Sequence, residues 1–223
     1  MDSDKPIIIG YAGSLSYYDP ENSFYENSFL KDWFWTYNHL SNNPSSRSAY
    51  FLFQAMRVLK KQFNLNKTNI QISLWGNIDE GNILLAKKFE ISDMITFGKY
   101  LEKKESRERL NSCDILFLPM ESETNLSKPL FIPGKLFEYL KTGKPILALA
   151  GDSDCSEILK KSGLGMIFKP QDSRGIAEHL AAVVQNREIL KKYIADYDYI
   201  SQYSFDKITK QLTDTFDELL KEK

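Results

Sequence analysis

Six short apolar segments, separated by helical patterns, constrain the fold of this chain more than any other feature. Each stops within two residues of a glycine or proline, and they lie at residues 6–13, 70–75, 94–97, 114–118, 145–150 and 165–168. Helical patterns occupy residues 50–63, 82–89, 103–111, 135–141, 155–161 and 173–184. The strands are too apolar to have a solvated face. This alternation therefore predicts an α/β fold, a doubly wound Rossmann-like parallel sheet of about six strands with helices on both faces.

The chain has 223 residues, and we expect one domain over residues 5–187, followed by C-terminal helices at 188–223 that pack on it. A hydrophobic content of 42% excludes wholesale disorder, and a net charge of −1 argues against a nucleic-acid partner. No apolar run reaches the roughly 18 residues of a transmembrane helix, and the first residues lack signal-peptide features. Cys113 and Cys155 follow no metal-ligand spacing. We interpret them as reduced thiols of a cytoplasmic protein.

An aromatic-rich insertion at residues 17–47 interrupts the alternation after the first strand, where a loop usually needs ~2–6 residues. Its aromatic residues are Tyr17, Tyr18, Phe24, Tyr25, Phe29, Trp33, Phe34, Trp35 and Tyr37. This aromatic content is too high for a disordered segment. Two interpretations stay open: a structural flap on its own domain, or a surface for an acceptor, a partner or lipid head groups. The second would allow peripheral contact with the inner face of the membrane.

Residues 133–145 are the most informative candidates for chemistry, because ligands of open parallel sheets bind beyond the carboxyl ends of the strands. Pro133 suits the first position of a helix, and Gly134 lets a ligand approach the backbone closely. Lys135 adds positive charge to the anion site expected at that helix start. Glu138, on the same face, can accept two hydrogen bonds from a cis-diol such as a ribose. The structural alternative is an amphipathic helix with a solvated Glu138 paired to a lysine.

The turn at residues 10–15 contains two glycines and allows a phosphate to approach the backbone. It lacks the full G-x-G-x-x-G fingerprint, which argues against a dinucleotide dehydrogenase, and no P-loop motif occurs. His39 and His179 are expected to be structural or solvated. Because His, Cys and Asp residues do not cluster, we predict neither a protein-bound metal nor a cofactor.

Three segments in order resemble the C-terminal, donor-binding half of GT-B glycosyltransferases of the family-4, or group 1, type. Residues 8–15 look like the first strand and glycine turn of that family, and residues 112–119 look like its aDvlllP strand. Residues 133–147 look like its P-x-K-x-x-E-Y-x-x-x-G-K-P-I segment, the most specific of the three. The resemblance extends from residue 7 to about residue 184. It implies one half of a GT-B fold, with a nucleotide-diphosphate sugar lying across the strand ends.

The resemblance also implies roles for individual residues. Glu138 matches the glutamate that binds the ribose hydroxyls, and Arg47 matches the diphosphate-binding Lys or Arg. Tyr100 and Leu101 match the loop whose backbone meets the base. The predicted donor-binding residues are Gly13, Ser14, Arg47, Gly76, Asn77, Tyr100, Leu101, Pro133, Gly134, Lys135 and Glu138. No catalytic residue is assigned.

Two positions depart from the family pattern. The E-x7-E motif would need a glutamate at position 130, where the chain has Leu130, and Glu121 or Glu123 is the candidate to replace it. Ser14 stands where many members carry a basic residue. These departures bear on the identity of the donor and on catalytic competence.

The order of halves in a GT-B enzyme adds a further expectation, because the acceptor-side half comes first and this chain begins almost at the donor half. We therefore expect a truncated or split protein that is inactive without its N-terminal acceptor domain. The expected function is binding of the donor for sugar transfer from a UDP- or GDP-sugar to a polysaccharide or glycolipid acceptor. A non-catalytic interaction module on a degenerate donor site and half of a sugar-nucleotide epimerase are the alternatives.

Overall fold

A single parallel sheet organises the computed structural model, which describes residues 5–19, 48–120 and 132–221. Its strands are β1 Ile7–Ala12, β2 Ile70–Trp75, β3 Ile95–Gly98, β4 Ile115–Pro119, β5 Ile146–Leu149 and β6 Gly165–Phe168. They lie in the order β3-β2-β1-β4-β5-β6, and every neighbouring pair is parallel. The order reverses between β1 and β4, which is the switch point of a doubly wound sheet. The predicted fold class is confirmed.

Helices connect these strands as the sequence pattern predicts. They are α1 Tyr50–Gln62, α2 Gly81–Lys88, α3 Lys103–Asn111, α4 Gly134–Leu140, α5 Asp154–Lys161, α6 Ser173–Gln185, α7 Tyr197–Ser201 and α8 Phe205–Lys221. Short 3-10 helices lie at Ser92–Met94 and at Arg187–Lys192. The predicted strands, and the predicted helices as far as residue 185, agree with the observed bounds to within one residue. Periodicity located the central strands well because most of their residues are buried, four of five in β4 and all four in β5.

Each face of the sheet carries its own hydrophobic cluster, and strand β4 shows why both are needed. Its alternate residues Ile115 and Phe117 pack into the cluster that α1 and α6 cover. Leu116 and Leu118, which point the other way, pack with α4 and α5. All four side chains are buried. A strand buried on both faces reads as a continuous apolar run, as it does in this sequence.

The segment after α6 packs unevenly. Leu190 and Ile200 are buried, one in each cluster, whereas α8 buries none of its side chains. The division of the chain at residue 187 stays a prediction. Within the described ranges, no helix combines the length and apolar character needed to cross a membrane.

Candidate functional site

Two glycine turns meet at the carboxyl ends of β1 and β2, beside the switch point of the sheet. Gly13 has a φ of 148° and Gly76 a φ of 120°, a region that L side chains rarely adopt. The Gly13 N–H donates to the Trp75 carbonyl at 2.8 Å, and the Gly76 N–H donates to the Lys99 carbonyl at 3.2 Å. Backbone hydrogen bonds therefore join the loops that follow β1, β2 and β3 at the carboxyl edge of the sheet.

A clamp from α2 holds the first of these turns. The side-chain amide of Asn82 donates to the Leu15 carbonyl at 3.3 Å and to the Asp79 carbonyl at 3.2 Å. The Asp79 N–H also donates to the Leu15 carbonyl, at 3.2 Å. Asn82 is completely buried, so its amide is committed to the two loops rather than to solvent. The sequence reasoning missed this residue, which looked like an ordinary member of a helix.

A cleft of about 180 Å³ opens at these turns. It is lined by six of the predicted donor-binding residues, Gly13, Ser14, Gly76, Asn77, Tyr100 and Leu101, together with Ala12, Trp75, Lys103 and Ser106. Ser14 and Tyr100 are exposed at its surface. The structure thus brings together residues that are spread over about ninety positions of sequence, as expected for the carboxyl edge of a parallel sheet.

Lys135 reaches from α4 to the first glycine turn. Its ammonium donates a hydrogen bond to the Ala12 carbonyl and lies 4.7 Å from the centre of the Tyr11 ring. Any Cβ at Gly13 would collide with this ammonium. Burial lowers the pKa of Lys135 from its ordinary 10.5, and the nearby charge of Glu138 partly opposes this shift. A positive charge therefore lies directly against the glycine turn, in a partly desolvated position.

The start of α4 differs in one detail from the prediction. The helix begins at Gly134, and Pro133 precedes it as an extended N-cap residue with φ −72° and ψ 138° rather than occupying its first position. A proline at this point ends the preceding loop without losing a needed donor. Because α4 has only 7 residues, its summed dipole is small, and the ammonium of Lys135 adds positive charge near its start. Among the described residues, a Cβ at Gly134 would meet nothing within 4 Å.

Glu138 lies one helical turn after Lys135 and borders a second cleft of about 510 Å³. The other lining residues are Lys103, Ser106, Arg107, Leu110, Asn111, Lys141 and Thr142. Lys103 and Ser106 line both clefts, so the two adjoin. The exposed carboxylate of Glu138 and the glycine turns consequently border neighbouring parts of one depression on the molecule.

Several predicted residues lie outside the described part of the chain. These are Arg47, His39, Leu130, Glu121 and Glu123, with most of the insertion at 17–47. His179 lines neither cleft; it is half-buried between Phe168 and Tyr193, and burial lowers its pKa. Among the described residues, no three side chains of His, Cys, Asp or Glu come together as metal ligands.

Both cysteines are buried. Burial raises the pKa of the Cys113 thiol to about 11 and that of the Cys155 thiol to about 12. Neither thiol is a ready nucleophile at neutral pH, because the reactive species is the thiolate.

Comparison with known proteins identifies a family for this chain. The family model described as glycosyl transferases group 1 matches residues 49–198. No curated protein sequence matches the chain.

Among solved structures, sucrose-phosphate synthase from Thermosynechococcus elongatus aligns with a TM-score of 0.63 and 14% identity, over 100% of this chain and 47% of the synthase. WaaG, a glycosyltransferase involved in lipopolysaccharide biosynthesis, aligns with a TM-score of 0.55 and 12% identity, over 90% and 42% of the two chains. Anabaena HepE, solved in complex with UDP-glucose, aligns with a TM-score of 0.56 and 14% identity, over 96% and 49%.

These alignments show a shared fold, the Rossmann-like half-domain of GT-B glycosyltransferases. The chain spans less than half the length of each of these three structures.

Proposed function

The chain belongs to the group 1 glycosyl transferases, and we propose that it supplies the nucleotide-sugar-binding half of such an enzyme. The ligand is a UDP- or GDP-sugar, and the enzyme transfers the sugar to a polysaccharide or glycolipid acceptor. The observation that carries this proposal is the ammonium of Lys135 held against the Gly13 turn from behind the cleft lining, with Glu138, one helical turn later, at the edge of the adjoining cleft.

The diphosphate lies against the turn at Gly13 and Ser14. A glycine with positive φ leaves the backbone uncovered there, and the exposed Ser14 hydroxyl can donate to a phosphate oxygen. Lys135 supplies the charge that Ser14 lacks, because it reaches the same turn from α4. A charge-assisted hydrogen bond to phosphate in a partly desolvated place is about twice as strong as a neutral one. Arg47, outside the described residues, is proposed as a second cation.

The nucleoside occupies the rest of the depression. The Glu138 carboxylate accepts hydrogen bonds from the ribose hydroxyls, since an ionised carboxylate only accepts and can take two donors at once. The base lies at the loop of Tyr100 and Leu101, beside Gly76 and Asn77 in the first cleft. Tyr100 is 73% exposed, so its ring face is free of packing and available to stack on a base.

The contribution of this half to catalysis is electrostatic. Negative charge develops on the departing diphosphate during sugar transfer, and a prepositioned cation stabilises it without reorganisation. Groups that bind the acceptor belong, in this proposal, to a second half like those of the longer relatives, so the chain alone should not turn over. Sugar nucleotides are cytoplasmic metabolites, and we propose a cytoplasmic location, with peripheral membrane contact through residues 17–47 as an alternative.

A non-catalytic interaction module is the second candidate, because Leu130 replaces the glutamate of the family's E-x7-E motif. Replacing residues 20–46 by a short glycine–serine linker separates the two. This keeps Asp19, which pairs with Lys88 at 2.7 Å. A donor site keeps its nucleotide affinity after the replacement, whereas a module that docks through its aromatic insertion loses its partner.

Isothermal titration with UDP, GDP and their sugars tests the donor proposal, with uridine and guanosine as matched ligands that lack phosphate. We expect at least one diphosphate to bind, its nucleoside to bind much more weakly, and Lys135→Met to remove most of the difference. Absence of binding by every diphosphate, with circular dichroism showing an intact fold, would contradict the proposal.

A further inference from the structure

Tyr11 is a buried residue near the end of β1 that contacts both components of the proposed diphosphate site. It is only 4% exposed, and its hydroxyl donates to the Ser14 carbonyl at 2.6 Å. This bond spans Ala12 and Gly13, from the residue two before the glycine to the residue after it. It therefore fixes how the backbone leaves β1, at the point where a ligand would approach.

The ring of Tyr11 has a different contact. The Lys135 ammonium lies 4.7 Å from the ring centre, within the range of a cation–π interaction. Phe117 supports the ring from β4, at 6.0 Å between centres and an interplanar angle of 59°. A ring braced in this way has little freedom to turn, so it offers the ammonium a fixed place.

The contact between Lys135 and the Tyr11 ring helps to keep a partly buried amine charged. Lys135 is partly desolvated, and burial favours the neutral amine over the ammonium. The groups that oppose this are the Ala12 carbonyl, the face of Tyr11 and the charge of Glu138. Tyr139, buried on the same helix as Lys135, brings no charge, because its own burial raises the pKa of its phenol well above the ordinary value.

We propose that Tyr11 is a positioning residue of the donor site, whose ring holds the Lys135 ammonium and whose hydroxyl holds the Ser14 carbonyl. One side chain thereby presents the lysine and the glycine turn together to a diphosphate. This inference rests on the proposed function, and it adds a residue that touches no ligand itself. From its position in a strand, Tyr11 is predicted only to be an aromatic residue of the core. The sequence around it therefore does not predict that it positions Lys135.

Two substitutions separate the two contacts. Tyr11→Phe keeps the ring and removes the hydroxyl, whereas Tyr11→Leu removes both and leaves an apolar residue. We expect the affinity for UDP to fall about two- to fivefold in Tyr11→Phe, for one hydrogen bond, and about tenfold in Tyr11→Leu. Affinity for uridine stays unchanged in both variants. Equal losses for UDP and uridine, or no loss for UDP, would overturn the proposal.

Tyr193→Phe and Tyr193→Leu are matched controls. Tyr193 also bonds through its hydroxyl, to His179 at 3.1 Å, but it packs against α6 rather than on Lys135 and the glycine turn. These variants should bind UDP like the unaltered protein. A loss as large as that of the Tyr11 variants would identify a general effect of removing a tyrosine and would overturn the positioning role.

A readout independent of nucleotide keeps this inference distinct from the proposed function. NMR of ¹³C-labelled lysine side chains should show the Lys135 ε-methylene protons shifted upfield by the Tyr11 ring in the unaltered protein. It should also show the pKa of Lys135 unchanged in Tyr11→Phe and lower in Tyr11→Leu. An unshifted Lys135 signal refutes the positioning contact, even where UDP binds and even where Tyr11→Leu does not fold. If Lys135 behaves as expected but no diphosphate binds, the proposed function fails and the Tyr11–Lys135 contact stands.

Discussion

Gly13 and Gly76 lie back to back, so close that a Cβ atom on Gly76 would overlap the backbone of Gly13. Gly76 also has a φ of 120°. Gly76→Ala should therefore destabilise the protein by about 2 kcal/mol or more, since it adds backbone strain and pushes two loops apart. Gly134→Ala is the matched control, because a Cβ there meets no atom of the described ranges within 4 Å. Urea unfolding measures both, and equal stability of the two variants would refute this packing of the turns.

The Asn82 clamp should contribute to both stability and binding. Asn82→Ala removes the amide that donates to the Leu15 and Asp79 carbonyls inside the protein. We expect a loss of about 1–3 kcal/mol in the free energy of unfolding, with weaker UDP binding because the Gly13 turn loses its support. Gln71→Ala removes a solvent-exposed hydrogen bond to the Lys67 carbonyl and should change stability by less than about 0.5 kcal/mol. Unfolding and titration of both variants provide the check.

Lys135 should show opposite effects on stability and on binding. Burial lowers its pKa below 10.5 in the folded protein, so the unfolded chain binds more protons at alkaline pH. The free energy of unfolding therefore gains a contribution that rises with pH between the lowered pKa and 10.5. The affinity for UDP falls in the same window, because the ammonium is lost.

Lys135→Met removes both pH effects, leaves stability at pH 7 unchanged or higher, and weakens UDP binding about tenfold or more. Lys160→Met is the control, because Lys160 is an exposed lysine in the last turn of α5. The ratio of the affinities of unaltered and Lys135→Met protein, followed from pH 7 to high pH, cancels the titration of UDP itself. A constant ratio would contradict the assignment of Lys135 as the phosphate cation.

The two thiols should be inert in the folded protein. Burial raises the pKa of Cys113 to about 11 and of Cys155 to about 12, so almost no thiolate exists at pH 8. Iodoacetamide should label neither cysteine in buffer and both in guanidinium chloride. Mass spectrometry measures the number of alkylated cysteines in each case. Rapid labelling of either residue in buffer would show that its surroundings are more open than the structure indicates.

The sheet and its helices were predictable because burial on both faces leaves a strong local pattern. In β5, all four residues from Ile146 to Leu149 are buried, and the sequence shows an unbroken apolar run. The edge at which a ligand would bind followed from the parallel topology. This is why Gly13, Ser14, Gly76, Asn77, Tyr100 and Leu101 were all expected near one another before their positions were known.

The contacts that tune the site were not predictable, because they join residues far apart in the chain. Lys135 and Ala12 are separated by 123 positions, and Asn82 and Leu15 by 67. Periodicity places each residue on an element but does not say which way a long side chain extends or what it meets. Tyr11 looked like any aromatic strand residue for the same reason. The first residue of α4 was misplaced by one, because a proline fits both the N-cap and the next position.

Removing the Glu138 carboxylate and removing the ribose hydroxyls, separately and together, gives the sharpest test of nucleotide binding at this site. Titration measures UDP and 2′,3′-dideoxy-UDP against the unaltered protein, Glu138→Ala and, as control, Glu157→Ala, an exposed carboxylate that lines neither cleft. We expect the unaltered and control proteins to prefer UDP by about tenfold or more, and Glu138→Ala to bind both ligands equally. An undiminished preference for UDP in Glu138→Ala, or none in the unaltered protein, would show that Glu138 does not bind the ribose hydroxyls.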